Sequence, residues 1–226
     1  MEKSIKIDSA MLAKASELYS FIFSIDEEYK NPAQGGERRD LIDGIFAILN
    51  GIKPLSYAKY FYDIVHEAFT GYYSTIVLST DFPVEKYLDA TVDDISYGIC
   101  SVNGLMTFER VWQVYLFTTV YRLFRGACWY YANPIFSQDA LNEVRIVDES
   151  LEGGDATDRL NAYHLSPVMR VDSERDTCQI ECFWWFPAEG LKREVVKYKL
   201  YPYRIRRLSV SSEIILPQNP AEEHQV

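Results

Sequence analysis

At 226 residues the chain is long enough for one large domain or two small ones. Its net charge of −10 argues against general binding to nucleic acid or to an anionic membrane, since both rely on positive charge. Aromatic residues make up 15%, with 17 Tyr and 12 Phe, so each buried residue removes much area from water and many phenol hydroxyls need partners.

The opening run MEKSIKIDSA has no apolar core of the kind a secretory signal carries, so none is expected. Four Cys do not make a disulfide scaffold; they suit a reducing compartment as small buried side chains. The expected location is the cytoplasm, with no membrane attachment and no cofactor.

Asp8 or Ser9 can cap a first helix, in which Met11, Ala15, Leu18, Ile22, Ile25 and Tyr29 form one apolar stripe. Asn31-Pro32 and Gly35-Gly36 break it. A second helix is expected over Glu37–Asn50, stopped by Gly51. Pro54 suits the first turn of a third, which would present Tyr57, Tyr60, Phe61, Ile64, Val65 and Ala68. Residues 72–79 fit either a strand or a continuation of that helix. Short helices follow from Pro83 to Leu88 and from Thr91 to Asn103-Gly104.

Thr107–Tyr131 is the longest strongly apolar stretch. Thr107 is a plausible N-cap and Glu109 suits the positive end of the helix dipole. Phe108, Trp112, Tyr115, Leu116, Thr119, Leu123 and Phe124 recur at helical spacing, while Val111, Val114, Phe117 and Val120 fill the other side. Such a helix is buried in protein or in lipid. Arg110 and Arg122 limit the uncharged run to roughly half of the ~20 residues a span needs, which favours protein.

Beyond Pro134 the period changes. Asn142–Glu149 reads as a short strand and Glu152–Asp155 as a loop. Tyr163, Leu165, Met169 and Val171 alternate with His164, Ser166, Val168 and Arg170; a turn is expected at Asp172–Arg175. The return strand puts Cys178, Ile180, Cys182, Trp184 and Phe186 on one face. A third strand follows Gly190, with Val196, Tyr198 and Leu200 facing in, and a fourth runs from about Tyr203 to Leu216. The expected fold is therefore α+β. A helical part (1–134) surrounds the buried central helix, a connection spans 135–155, an antiparallel meander occupies 156–217, and 218–226 is a disordered tail. The two parts form either separate domains or one composite domain.

Two charge patterns are candidate binding surfaces. Asp81, Glu85, Asp89 and Asp93 recur every fourth residue and would line one face of a helix, either as an ordinary solvated face or as a docking face for a basic partner. Lys192, Arg193, Lys197, Lys199, Arg204, Arg206 and Arg207 crowd one short stretch with Tyr198, Tyr201 and Tyr203 between them. Basic and aromatic residues so mixed can hold phosphates and stack bases, or grip an acidic protein. They also occur simply as the charged edge that keeps sheets apart. Residues 151–226 hold 10 basic and 12 acidic side chains, so most of the negative charge lies in the earlier part.

Signals for chemistry are weak. On a strand Cys178 and Cys182 would lie about 13 Å apart, too far for one zinc ion. An Asp63–His66–Glu67 group on the expected third helix could do acid–base work, though ordinary surface residues look the same. No nucleophile-elbow, zinc-protease, phosphate-loop or dinucleotide motif is present. The reading is a protein-binding module of the inhibitor, immunity or adaptor kind, pairing with a protein partner or with itself through the acidic helical face and the aromatic, basic strand face. Nucleic acid would be met, if at all, through residues 192–207. The alternative is an enzyme or small-ligand binder with an aromatic pocket between helices and sheet, using His66, His164 or Glu109.

Overall fold

Strand, not helix, is the main element of the described residues. The computed structural model describes residues 2–29, 39–40, 42–54, 61–67, 71–77, 100–102, 104–125, 133–137, 139–141, 164–186, 190–202 and 204–217. In chain order they form β1 (Glu2–Lys6), α1 (Ser9–Tyr29), β2 (Arg39–Asp40), α2 (Ile42–Ile48), β3 (Ile52–Pro54), β4 (Phe61–Glu67), β5 (Gly71–Val77) and β6 (Cys100–Val102). Next come α3 (Phe108–Arg125), β7 (Asn133–Ile135), β8 (Val168–Asp172), β9 (Thr177–Phe186), β10 (Gly190–Tyr201) and β11 (Arg204–Pro217).

The helical N-terminal part expected around a central helix is overturned, because β1 to β6 all lie in it and the described residues are mostly antiparallel sheet. The third helix is replaced by β4, which pairs antiparallel with β5 from Phe61↔Val77 to Glu67↔Gly71. The run FYDIVHE satisfies a helical and a strand template alike. Its Tyr, Ile and Val favour the pleated surface, and the β-branched Thr75, Ile76 and Val77 of the next segment supply a partner strand. The second helix shrinks to the seven residues of α2, preceded by β2. At the expected end of the helix before Gly104 stands β6, paired with β3. The expected helices at 83–88 and 91–99, the strand at 142–149 and the tail 218–226 lie outside the described residues.

The chain divides into two compact units. One comprises residues 8–129 and 200–206. In it Asp8 caps α1, its Oδ1 accepting from the Met11 N–H at 2.9 Å, and Met11, Ala15 and Leu18 are buried. The buried Trp112 of α3 donates its Nε1–H to the Met11 carbonyl at 2.7 Å and stacks on Tyr115. Phe46 of α2 meets Phe117 of α3 at 5.5 Å between ring centroids. Lys14 of α1 donates to the Ile48 carbonyl at 3.2 Å, where a cation suits the end of α2. Gln113, fully buried, accepts from the Gly51 N–H at 2.6 Å and donates to Glu109 at 3.2 Å, so its polar ends are satisfied. Gly44 leaves the room that the Phe21 ring occupies.

The other unit comprises residues 1–7, 130–199 and 207–226. Its sheet has the order β1-β8-β9-β10-β11, with β7 on β9 beyond the end of β8. Strand alternation gives the sheet two faces. On one, Met169, Val171, Cys178, Ile180, Cys182, Trp184, Val196 and Tyr198 are all buried. On the other, Phe183, Trp185 and Leu191 form a core with Ile135, Leu141, Leu165, Ile215 and Leu216. The β8–β9 turn is held by Asp172, whose Oδ1 accepts from the Glu174 N–H, and Asp176 takes φ of 47°, a backbone that Asp tolerates.

Candidate functional site

A charge ladder runs across four neighbouring strands on the Phe183 face. Glu181 of β9 binds Arg170 of β8 at 2.6 Å and Arg193 of β10 at 2.9 Å, and Arg193 lies 3.6 Å from Glu213 of β11. The Glu181 side chain is 11% exposed, the two arginines 35% and 32%. Burial works to raise the Glu181 carboxyl, but hydrogen bonds and charge from Arg193 and Arg170 outweigh it and hold it below the usual range. The Arg193 guanidinium is raised in turn, chiefly by its bond to Glu181. A carboxylate locked in this way is a structural counter-ion rather than a proton donor at neutral pH.

The predicted basic patch is partly absorbed by the sheet. Lys192 sits 4.6 Å over the Phe186 ring, and Arg193 belongs to the ladder. Lys199 donates to the Arg175 carbonyl at 2.6 Å and lies 3.6 Å from Asp176, tying β10 to the β8–β9 turn. Burial lowers the pKa of the half-buried Arg207. Lys197 is half-buried on β10, Arg206 is exposed on β11, and Arg204 begins that strand. Tyr198 is in the core while Tyr201 is exposed. Asp81, Glu85, Asp89 and Asp93 lie outside the described residues.

The candidate chemical groups do not converge. His66 stands on β4 and not on the helix expected there. His164 is exposed ahead of β8. Cys178 and Cys182 are buried thiols outside any disulfide, and burial pushes the Cys178 thiol up to about 12, which makes it a poor nucleophile. Among the described residues no group of His, Cys, Asp or Glu is placed to hold a metal ion, and no helix is long and apolar enough to cross a membrane.

The feature that sequence reasoning missed is the outer edge of β11. Among the described residues this strand ends the sheet, and residues 208–214 are exposed without interruption. Leu208 (49%), Val210 (37%) and Ile214 (49%) share one face by alternation. The Arg193–Glu213 contact puts the odd positions of β10 and β11 on the same side. The apolar stripe therefore continues the buried face that carries Val196 and Tyr198. Natural edges are blunted by Pro or by charge, Lys above all; between Leu208 and Ile214 there is no Pro or Lys, and Glu213 is the one charge. The spacing of Leu208, Val210 and Ile214 was visible in the sequence, but only the sheet order shows that β11 lies outermost.

Comparison with protein families, with curated proteins and with solved structures gives no match, so the functional reading rests on these residues.

Proposed function

We propose that the chain is a protein-binding module, of the inhibitor, immunity or adaptor kind, that engages its partner by adding a strand to the outer edge of β11. The supporting observation is the unbroken exposure of residues 208–214 on the last strand of the sheet, with Leu208, Val210 and Ile214 on one face. A sheet edge offers main-chain N–H and C=O groups in a row, and side-chain contacts on alternate residues give selectivity. Arg206, exposed on β11 just ahead of this run, would favour acidic groups on the approaching chain. The acidic run Asp81, Glu85, Asp89 and Asp93 adds a second contact surface on the strength of its charge spacing.

The test is affinity capture with the wild-type chain and with the double variant L208K/I214K, both checked for unchanged circular dichroism. Partners held by the wild type and lost by the variant are the expected result. An identical set of captured proteins would remove the edge as the binding face.

A further inference from the structure

We infer that the strand added to β11 is β11 of a second copy of this chain, running antiparallel with Ser211 opposite Ser211. The inference rests on the edge being the binding face and names its occupant.

The argument is self-complementarity. A two-fold axis perpendicular to the sheet keeps each face with itself, so even positions meet even and odd meet odd. Centred on Ser211, it places Leu208 opposite Ile214, Val210 opposite Ser212 and Ser209 opposite Glu213, each pair occurring twice. The exposed run 208–214 is thereby matched to itself from end to end, and the two most exposed apolar side chains of β11 cover each other. No like charges are opposed. Moving the centre to Val210 puts Leu208 opposite Ser212 and Arg206 opposite Ile214. Moving it to Ser212 pairs Val210 with Ile214 but carries the contact out to Leu208 against Leu216, which is already buried. The first alternative leaves exposed apolar area uncovered, and the second runs past the exposed stretch 208–214. In the favoured register the apolar stripe becomes continuous across the axis, and the two sheets become one.

Each copy carries a net charge of −10, so the copies repel at long range. Salt screens that repulsion, and the dimer should tighten as salt is added. A partner held by opposite charge would loosen instead.

The experiment uses the full chain. Sedimentation velocity should show a dimer that dissociates on dilution, and L208K/I214K should remain monomeric at the concentrations where the wild type is dimeric. Under mild oxidation Ser211→Cys should form a disulfide-linked dimer, because directly opposed residues lie about 4.5–5.5 Å apart between Cα atoms, within disulfide reach. Ser209→Cys should not, since its own copy lies about 13 Å along the partner strand. Unsubstituted protein controls for the native cysteines. A monomeric wild type, or Ser209→Cys linking as readily as Ser211→Cys, overturns the inference. If the wild type is monomeric and L208K/I214K still loses captured partners, the second copy is wrong but the edge stands. A dimer indifferent to L208K/I214K overturns the inference, and an identical set of captured proteins then removes the edge as well.

Discussion

Replacing Glu181 with Gln keeps the shape of the side chain and removes the charge that Arg170 and Arg193 share. Each intact charge-assisted bond contributes about 1.5–3 kcal/mol. Gln retains an acceptor for one arginine, and both guanidinium groups are about one-third exposed, so water replaces part of what is lost. The expected net cost is about 2 kcal/mol at pH 7, or ~4–8 °C in unfolding midpoint for a chain of this size. The pH dependence follows from the lowered carboxyl. A group whose folded pKa is depressed contributes fully above its ordinary value, near 4.3 for Glu, and its contribution is lost as pH falls through the folded value. The difference between wild type and E181Q should therefore hold steady from pH 7 to about 5 and close at lower pH, where both side chains are neutral. Urea titrations followed by the fluorescence of the buried Trp184 and Trp185 measure it. Equal stability at pH 7, or a gap unchanged at pH 3, would refute the assignment of Glu181 as the ionised hub of the ladder.

Trp112→Phe removes the donor to the Met11 carbonyl inside the core of the α1–α3 unit; a loss of about 1–3 kcal/mol is expected in thermal unfolding, against no change if that bond is incidental. Gly104→Ala forces a side chain onto a backbone with φ of 93°, and a cost of about 1–2 kcal/mol should appear in the same assay, whereas Gly104→Asn should cost less because Asn visits such conformations more readily. Cys178, buried and with its thiol pushed up to about 12, should resist iodoacetamide at pH 8 in the folded chain and react once unfolded. Mass spectrometry of its peptide reads the difference, and rapid native labelling would contradict the burial.

Local signals that span one element were legible in the sequence. The Asp8 cap and the stripe Met11, Ala15, Leu18 occur in α1 as their spacing indicates, and Thr107 accepts from the Arg110 N–H at the start of α3. The period of two marks β8 and β10, whose burial alternates along the strand, while β9 buries both faces from Ile180 to Trp185; Asp172, just ahead of the turn at 173–176, accepts from the Glu174 N–H. What failed was any element whose identity depends on a distant partner. β1 has too few apolar residues to announce a strand and forms through its pairing with β8 from Glu2↔Asp172 to Lys6↔Val168. β4 reads as a helix until β5 is found to lie beside it. The ladder escaped notice for the same reason: Arg170, Glu181, Arg193 and Glu213 are far apart in sequence and meet only through strand register. The basic run from Lys192 was legible as charge, while the seating of Lys192 over Phe186 and the pairing with Glu181 and Asp176 were not.

The open edge of β11 is tested most directly by residue-resolved amide hydrogen exchange over 208–214, measured across a range of protein concentrations. Half of these amides bond to β10 and half point outward, by the alternation of a strand. The outward set should exchange fast in dilute protein and slow progressively as concentration rises, because a second β11 then covers them. Fast exchange at every concentration would contradict pairing between copies, and slow exchange even in dilute protein would contradict an open edge.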